Sequence, residues 1–285
     1  MDKVSRSVTS RRARARVMAR LERLPFECYV LRGALDARER AWATECVARY
    51  ASREAWARAA ANDHPTIVAS HARGQRERAM ACVRACGLKR CTGACGGDVG
   101  ALSEAPIDLF ELSARVVATA KTKDDDDGAL RRAFANDDPF EASHFWALVY
   151  GEAASGDGKR RETMAPHLDR GVGWVVSISL GGRPTRMTIG KPPARGSMYD
   201  AYAQSRPVEG QDLGVEIVVN DGDAVIFRGD RVFHSVDGFA GEPVVGHDEW
   251  ARALVGANGV DGYGVGRLAL LFREERETQS KAVRY

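Results

Sequence analysis

His167-Leu-Asp169, followed by the apolar run Trp174-Val-Val-Ser-Ile-Ser-Leu180, is the stretch from which this chain is read. The run is too short for a typical helix and rich in β-branched residues, which predicts a buried strand. Runs of the same kind recur at Phe145–Tyr150, Arg186–Ile189, Val215–Val219, Ala224–Phe227, Arg231–His234 and Leu268–Phe272. Gly, Pro and Asp separate them, and many short strands divided by turn signals indicate a sandwich or barrel.

Upstream of residue 140 the pattern differs. Phe26 to Leu31 reads as a strand, and Asp36-Ala-Arg-Glu39 has capping-box spacing for a helix start. Trp42, Cys46, Val47 and Tyr50 then recur at three- and four-residue steps, which gives a helix one buried face, and residues 51–62 are expected to continue it. Pro106 opens another helix with Leu109, Leu112, Val116 and Ala120 on one side. Asp124 to Asp127 reads as a solvated loop, because four consecutive carboxylates repel one another and cannot all face one ion. The stretches 190–213 and 237–264 read as long loops, which in a compact domain are often functional. The expected class is therefore α+β, a helical N-terminal part packed against a C-terminal β-sandwich, with no internal repeat.

Composition bounds the partners. The 285 residues are 44% hydrophobic, enough to build a core, so wholesale disorder is excluded. No apolar run reaches eighteen residues and no apolar stretch follows the basic N-terminus, so neither a membrane span nor a secretory leader is expected. An intracellular location, nucleus or cytoplasm, is the expectation that follows. The net charge is only +3. Lys3, Arg6, Arg11, Arg12, Arg14, Arg16, Arg20 and Arg23 are nonetheless gathered in a tail over residues 1–24. Such a tail is either a solvated segment or a contact to a nucleic-acid backbone or an import receptor. Cys82, Cys86, Cys91 and Cys95 form a C-x3-C-x4-C-x3-C cluster, looser than paired C-x2-C knuckles. It is read either as a zinc site or as scattered thiols in an Ala/Gly-rich segment. Cys28 and Cys46 read as small apolar residues.

The chemistry is carried by polar residues beside the strands. In an extended segment residues i and i+2 share a face, so His167 and Asp169 can bind one ion together. His234, at the end of Arg231–Phe233, is the candidate third ligand. Two imidazoles and one carboxylate leave three positions of an octahedron open, which suits non-haem Fe(II); zinc accepts the same donors. The pattern alone is weak, and its surroundings strengthen it. Gly222-Asp223-Ala-Val-Ile-Phe227 is a tight turn entering an apolar strand ahead of His234. In Arg267-Leu-Ala-Leu-Leu-Phe-Arg273 the two arginines share a face, while Leu268, Leu270 and Phe272 point the other way. Two arginines on one face of an apolar strand call for an anionic partner, and a dicarboxylate such as 2-oxoglutarate would serve. The competing reading is a strand with two surface ion pairs.

H-L-D, then V-V-S-I-S-L-G-G, then G-D-A-V-I-F-R-G-D-R-V-F-H-S-V, then R-L-A-L-L-F-R, in this order, resemble the AlkB-like Fe(II)/2-oxoglutarate-dependent dioxygenases. The resemblance covers roughly Phe145 to Arg273, with a weaker echo at Phe26–Tyr50. It implies a double-stranded β-helix (jelly roll) over 140–275, helical support over 25–139 within a single domain 25–285, and a tail over 276–285. It implies Fe(II) on His167, Asp169 and His234, with 2-oxoglutarate and dioxygen as cosubstrates. Arg267 would pair with the distal carboxylate of 2-oxoglutarate. Arg273 would support the end near the metal and orient Asp169, and Tyr150 would hydrogen-bond the cosubstrate. Leu148 and Ala269 stand where the family often has Asn, which removes two polar contacts. The reaction so implied is oxidation of a methyl group on a nucleic-acid base, DNA or RNA, with loss of formaldehyde from an N-methyl group. The alternatives are 5-methylpyrimidine hydroxylation of the TET or J-base type, protein hydroxylation, and a non-catalytic binding module. Phosphate contacts are expected from the N-terminal arginines, from Arg73 to Arg90, and near Arg183 and Arg186. Trp146, Trp174 and Tyr199 are candidates for stacking on a flipped base, against ordinary packing roles.

Overall fold

Among the described residues, clusters of Val, Ile, Phe and Tyr between turn residues form eleven strands, and five helices cover part of their surface. The computed structural model describes residues 19–60, 65–71, 107–124, 128–134, 139–152, 163–169, 172–191, 213–256 and 264–275. In chain order the elements are β1 (Arg20–Leu24), β2 (Cys28–Arg32), α1 (Ala37–Tyr50), α2 (Arg53–Ala60), β3 (Thr66–His71), α3 (Ile107–Thr122) and α4 (Ala129–Ala133). They continue with β4 (His144–Glu152), β5 (Met164–His167), β6 (Val172–Leu180), β7 (Thr185–Ile189), β8 (Val215–Val219), β9 (Ala224–Arg228), β10 (His234–Phe239), α5 (His247–Val255) and β11 (Gly264–Glu275).

The strands form a seven-stranded sheet, β1-β2-β9-β6-β11-β4-β3, and a four-stranded sheet, β5-β10-β7-β8, both antiparallel. From β4 onward the chain passes back and forth between them, with β7 and β8 paired as one hairpin of the small sheet, and this winding places β4, β6, β9 and β11 against β5, β7, β8 and β10. The period-two alternation decides what each face buries. Between the sheets Val175, Phe227, Leu148, Ala269 and Leu271 pack with Met187, Ile189, Ile217, Val219 and Val236. On the other face of the large sheet Phe145, Ile178, Leu270 and Phe272 share one cluster with Val47, Trp56, Leu112 and Val116 from α1, α2 and α3. A central strand buried on both faces reads as a continuous apolar run, which is why β6 and β11 stood out in the sequence.

The capping box is formed as expected: the Glu39 amide donates to Asp36 at 2.9 Å and the Asp36 amide to the Glu39 carboxylate at 2.9 Å. Leu109, Leu112, Val116 and Ala120 of α3 are buried as their spacing predicts.

Four expectations need correction. Residues 20–24, read as the end of a basic tail, are β1, paired along its length with β2. The helix expected to run on through 51–62 breaks at Ala51, because the Ser52 hydroxyl accepts from the Ala55 amide at 3.1 Å and caps a separate α2. The strand expected at Arg231–His234 is a turn, in which the amides of Arg231 and Val232 donate to the Arg228 carbonyl at 3.2 and 2.8 Å; His234 instead begins β10. The loop expected over 237–264 contains the end of β10 and all of α5. Trp250 of α5 donates its indole N–H to Thr44 of α1 at 3.0 Å, and Leu254 is buried.

Residues 1–18, Cys82 to Cys95, Arg73 to Arg90, Tyr199 and 276–285 lie outside the described residues, so the expectations for the four-cysteine cluster and for the arginines before Arg20 do too. Among the described residues no helix is long and apolar enough to cross a membrane.

Candidate metal centre and anion pocket

His167 ends β5, and His234 begins β10 as its direct cross-strand partner. Cross-strand partners on one face have adjacent side chains, and the two imidazole centroids are 4.2 Å apart. Asp169 lies two residues beyond His167, with its backbone amide donating to the Gly229 carbonyl at 2.8 Å. One ligand atom from each of His167, Asp169 and His234 falls within 4.8 Å of the others. These three residues, expected from the sequence to act together, are thus brought together.

The hydrogen bonds fix which atoms face inward. His167 Nδ1 donates to the Ala165 carbonyl at 2.9 Å and His234 Nδ1 to the Val232 carbonyl at 3.1 Å. A carbonyl cannot donate, so each Nδ1 carries a proton, and each Nε2 is the ring atom turned toward Asp169. His167 Nε2 is 3.6 Å from Asp169 Oδ1, and His234 Nε2 is 3.9 Å from Asp169 Oδ2. Arg273 Nη2 donates to Asp169 Oδ1 at 2.9 Å, whereas buried Asp169 Oδ2 has no hydrogen-bond partner. A buried carboxylate oxygen left unpaired costs at least about 1–3 kcal/mol, and a cation at this point would satisfy it. The donor set, two imidazoles and one carboxylate, fits Fe(II).

Electrostatics keep the ligands in their binding forms. Burial pushes the Asp169 carboxyl up, but Arg273, His234 and His167 together hold it below its ordinary value. Burial, with His167 opposite, pushes His234 down to about 3, so it stays neutral.

β11 supplies the second half of the site. A bulge between Val265 and Arg267 sets the register so that Arg267 faces Tyr150 of β4 and Arg273 faces His144. Arg267 is 1% exposed; its Nε donates to Ser179 Oγ at 3.0 Å, its guanidinium lies 5.3 Å from the Tyr150 ring, and its Nη1 is buried with no partner. Burial holds its pKa below the ordinary arginine value, and raises that of Tyr150 to about 12, so the phenol is neutral. Arg273 lies 4.2 Å over the Trp146 ring. Leu148 and Ala269 face the same interior as these groups. The inward face of β11 therefore carries Arg273, on the candidate metal-ligating carboxylate, and buried Arg267, with Ala269 and Leu271 between them.

Ser179 takes part as a support that the sequence reading did not assign, and Trp146, a stacking candidate in the sequence, lies against the Arg273 guanidinium. The signal for Ser179 was a hydroxyl recurring at alternate positions, Ser177 and Ser179, within an otherwise apolar strand. Trp174 lies on the helix-covered face of the large sheet, stacked 4.3 Å from Phe134, so it is packing and not a base platform.

The β1–β2 hairpin reaches this end of the molecule. Phe26 and Glu27 at its tip have φ of 71° and 55°, a left-handed conformation that neighbouring contacts must hold. Phe26 lies over Gly190, where a Cβ would come within 2.3 Å of the ring, and the Gly190 amide donates to the Phe233 carbonyl at 2.7 Å. The hairpin tip thus packs beside the residue that precedes His234.

Among solved structures, the chain aligns with OsALKBH1 over 89% of its own length and 99% of that chain, at 14% identity and a TM-score of 0.50. The fold is AlkB-like. An oxidoreductase of the 2OG-Fe(II) oxygenase family from Burkholderia pseudomallei aligns over 61% of this chain and 58% of that one, at 11% identity and a TM-score of 0.31. No protein-family model and no curated protein matches the sequence. Within the AlkB-like fold, Tyr150, Ser179 and Arg267 lie at alternate positions of β4, β6 and β11, on the sheet face that packs against the small sheet from which His167 and His234 come.

Proposed function

We propose that the protein is an Fe(II)- and 2-oxoglutarate-dependent oxygenase acting on methyl groups of nucleic-acid bases. The observation that carries the reading is Arg267. A fully buried guanidinium with an unpartnered Nη1, on the same strand face as the arginine that holds the metal-ligating carboxylate, needs an anion. A dicarboxylate that also chelates the metal would answer both ends of the pocket.

In this reading His167, Asp169 and His234 would hold the ion, and iron bound there would supply oxidation of a C–H bond by dioxygen, one oxygen atom going to the substrate carbon and the other to the succinate that forms, with CO2, from 2-oxoglutarate. Arg267 takes the distal carboxylate, with Ser179 keeping its Nε oriented. Tyr150, neutral and buried, donates a hydrogen bond to the same carboxylate. Arg273 keeps Asp169 ionised and correctly turned. The apolar walls of Leu148, Ala269 and Leu271 exclude water from the oxidised carbon. The nucleic-acid substrate is supported by the arginine-rich N-terminal sequence and by exposed Arg186 on β7.

The test is incubation with Fe(II), 2-oxoglutarate and oligonucleotides carrying N-methyl or 5-methyl groups, followed by mass spectrometry of the nucleosides. Release of formaldehyde from the N-methylated strands supports demethylation. A retained hydroxymethyl group on the 5-methylated strands would point to pyrimidine hydroxylation instead. No change in either strand, with succinate still formed, would overturn the nucleic-acid reading and leave a protein substrate.

A further inference from the structure

Two of the three proposed ligands depend on one short turn. Between β9 and β10, residues 228–232 fold back on themselves, with the Arg228 carbonyl accepting from the amides of Arg231 and Val232. From this turn the Gly229 carbonyl accepts the amide of Asp169 at 2.8 Å, and the Val232 carbonyl accepts Nδ1 of His234 at 3.1 Å. The Gly229 amide closes the arrangement by donating to the Gly173 carbonyl at 2.9 Å, which ties the turn to the start of β6. A displacement of this turn therefore moves a carboxylate ligand and frees an imidazole to rotate or change tautomer.

The turn is closed by a fork-to-fork ion pair. Arg228 Nε donates to Asp230 Oδ1 at 3.0 Å and Arg228 Nη2 to Asp230 Oδ2 at 2.8 Å. The Arg228 side chain is 4% exposed, and its guanidinium sits 5.6 Å from the Trp174 ring, which is stacked on Phe134. Exposed ion pairs contribute little, but this one is bidentate, anchored on one side by an aromatic wall and spans the two residues flanking Gly229. We infer that Arg228 and Asp230 are positioning residues, a clamp that holds the Gly229 and Val232 carbonyls where Asp169 and His234 need them. This rests on His167, Asp169 and His234 being a metal site. Neither residue belongs to the candidate ligand group.

The test measures metal binding apart from turnover. Co(II) is titrated into the metal-free protein under exclusion of oxygen, and its d–d absorption gives both the dissociation constant and the ligand geometry. Asp230→Asn keeps shape but breaks the pair. Arg228→Met with Asp230→Asn removes both charges, so that no buried guanidinium is left uncompensated. In both variants the Co(II) dissociation constant is expected to rise about 10- to 100-fold with an altered d–d spectrum, the usual effect of losing a second layer of support around a metal. Near-UV circular dichroism is expected to stay as in wild type. A folded double variant that binds Co(II) like the wild type overturns the clamp, and so does unfolding of both variants, which would make the pair a folding element. Wild-type protein that binds no Co(II) overturns the metal site itself, a different failure.

Discussion

Replacing Arg267 with methionine is expected to move two quantities in opposite directions. Its guanidinium is 1% exposed, hydrogen-bonded at Nε to Ser179 and unpartnered at Nη1, and among the described residues no carboxylate pairs with it. Desolvating such a charge costs several kcal/mol, and replacing buried ionic groups with apolar ones of similar volume stabilises by about 1–4 kcal/mol. The ligand-free protein should therefore melt higher, by roughly 2–4 °C for each kcal/mol gained in a chain of this size. Binding of 2-oxoglutarate should fall at the same time. Loss of a buried charge pair costs about 2–5 kcal/mol, a factor of roughly thirty or more in the dissociation constant. The assay is a thermal melt of Mn(II)-loaded protein across a 2-oxoglutarate titration. At 100 times its dissociation constant a ligand stabilises by about 2.7 kcal/mol, so the wild type should show a clear upward shift at concentrations where the variant shows none. A variant that melts lower without ligand, and keeps the wild-type ligand shift, would refute the reasoning at both ends.

Three further outcomes follow from the same geometry. His234, pushed down to about 3 by burial, is neutral in the folded protein where the unfolded chain takes up a proton. Its contribution is complete above pH 6.5 and is lost as pH falls toward 3, so the metal-free protein should lose a few kcal/mol over that range. A His234→Gln variant should show a flatter acid limb in urea melts, and an unchanged limb would remove His234 as the cause. Gly266→Ala places a Cβ 2.2 Å from the Phe239 ring, itself under the Arg183 guanidinium, and should cost about 1–3 kcal/mol in thermal melts. A wild-type melting temperature would show that Phe239 yields freely. Asp36→Ala opens the capping box of α1 on the outer face and should cost about 1 kcal/mol with Co(II) binding unaltered, so any loss of metal affinity would count against α1 being remote from the site.

What the sequence disclosed was set by local pattern. His167 and Asp169 could be paired because neighbours two apart in an extended segment share a face, and Arg267 with Arg273 by the same rule within one strand. β6 and β11 were legible because strands buried on both faces are continuous apolar runs. β1 was not, because Arg20 and Arg23 at the edge of the sheet look like any solvated basic segment until β2 pairs with them. α5 was missed because its nine residues make only about two and a half turns, too short for a helical period to stand out, and its anchors, Trp250 on Thr44 and buried Leu254, are satisfied across 206 residues of sequence in the first case. The dependence of Asp169 on Gly229, and of Arg267 on Ser179, is likewise made only by the winding of the chain between two sheets.

The central claim is that this pocket couples Fe(II) to 2-oxoglutarate. Anaerobic protein supplied with Fe(II) and 2-oxoglutarate, then exposed to oxygen, can be assayed for succinate by mass spectrometry beside a His167→Ala variant. Succinate formed by the wild type above the iron-only background, and absent from the variant, is the result expected. Equal succinate from both, or none from a wild type that binds Co(II) with the d–d spectrum of a two-histidine, one-carboxylate site, would contradict it.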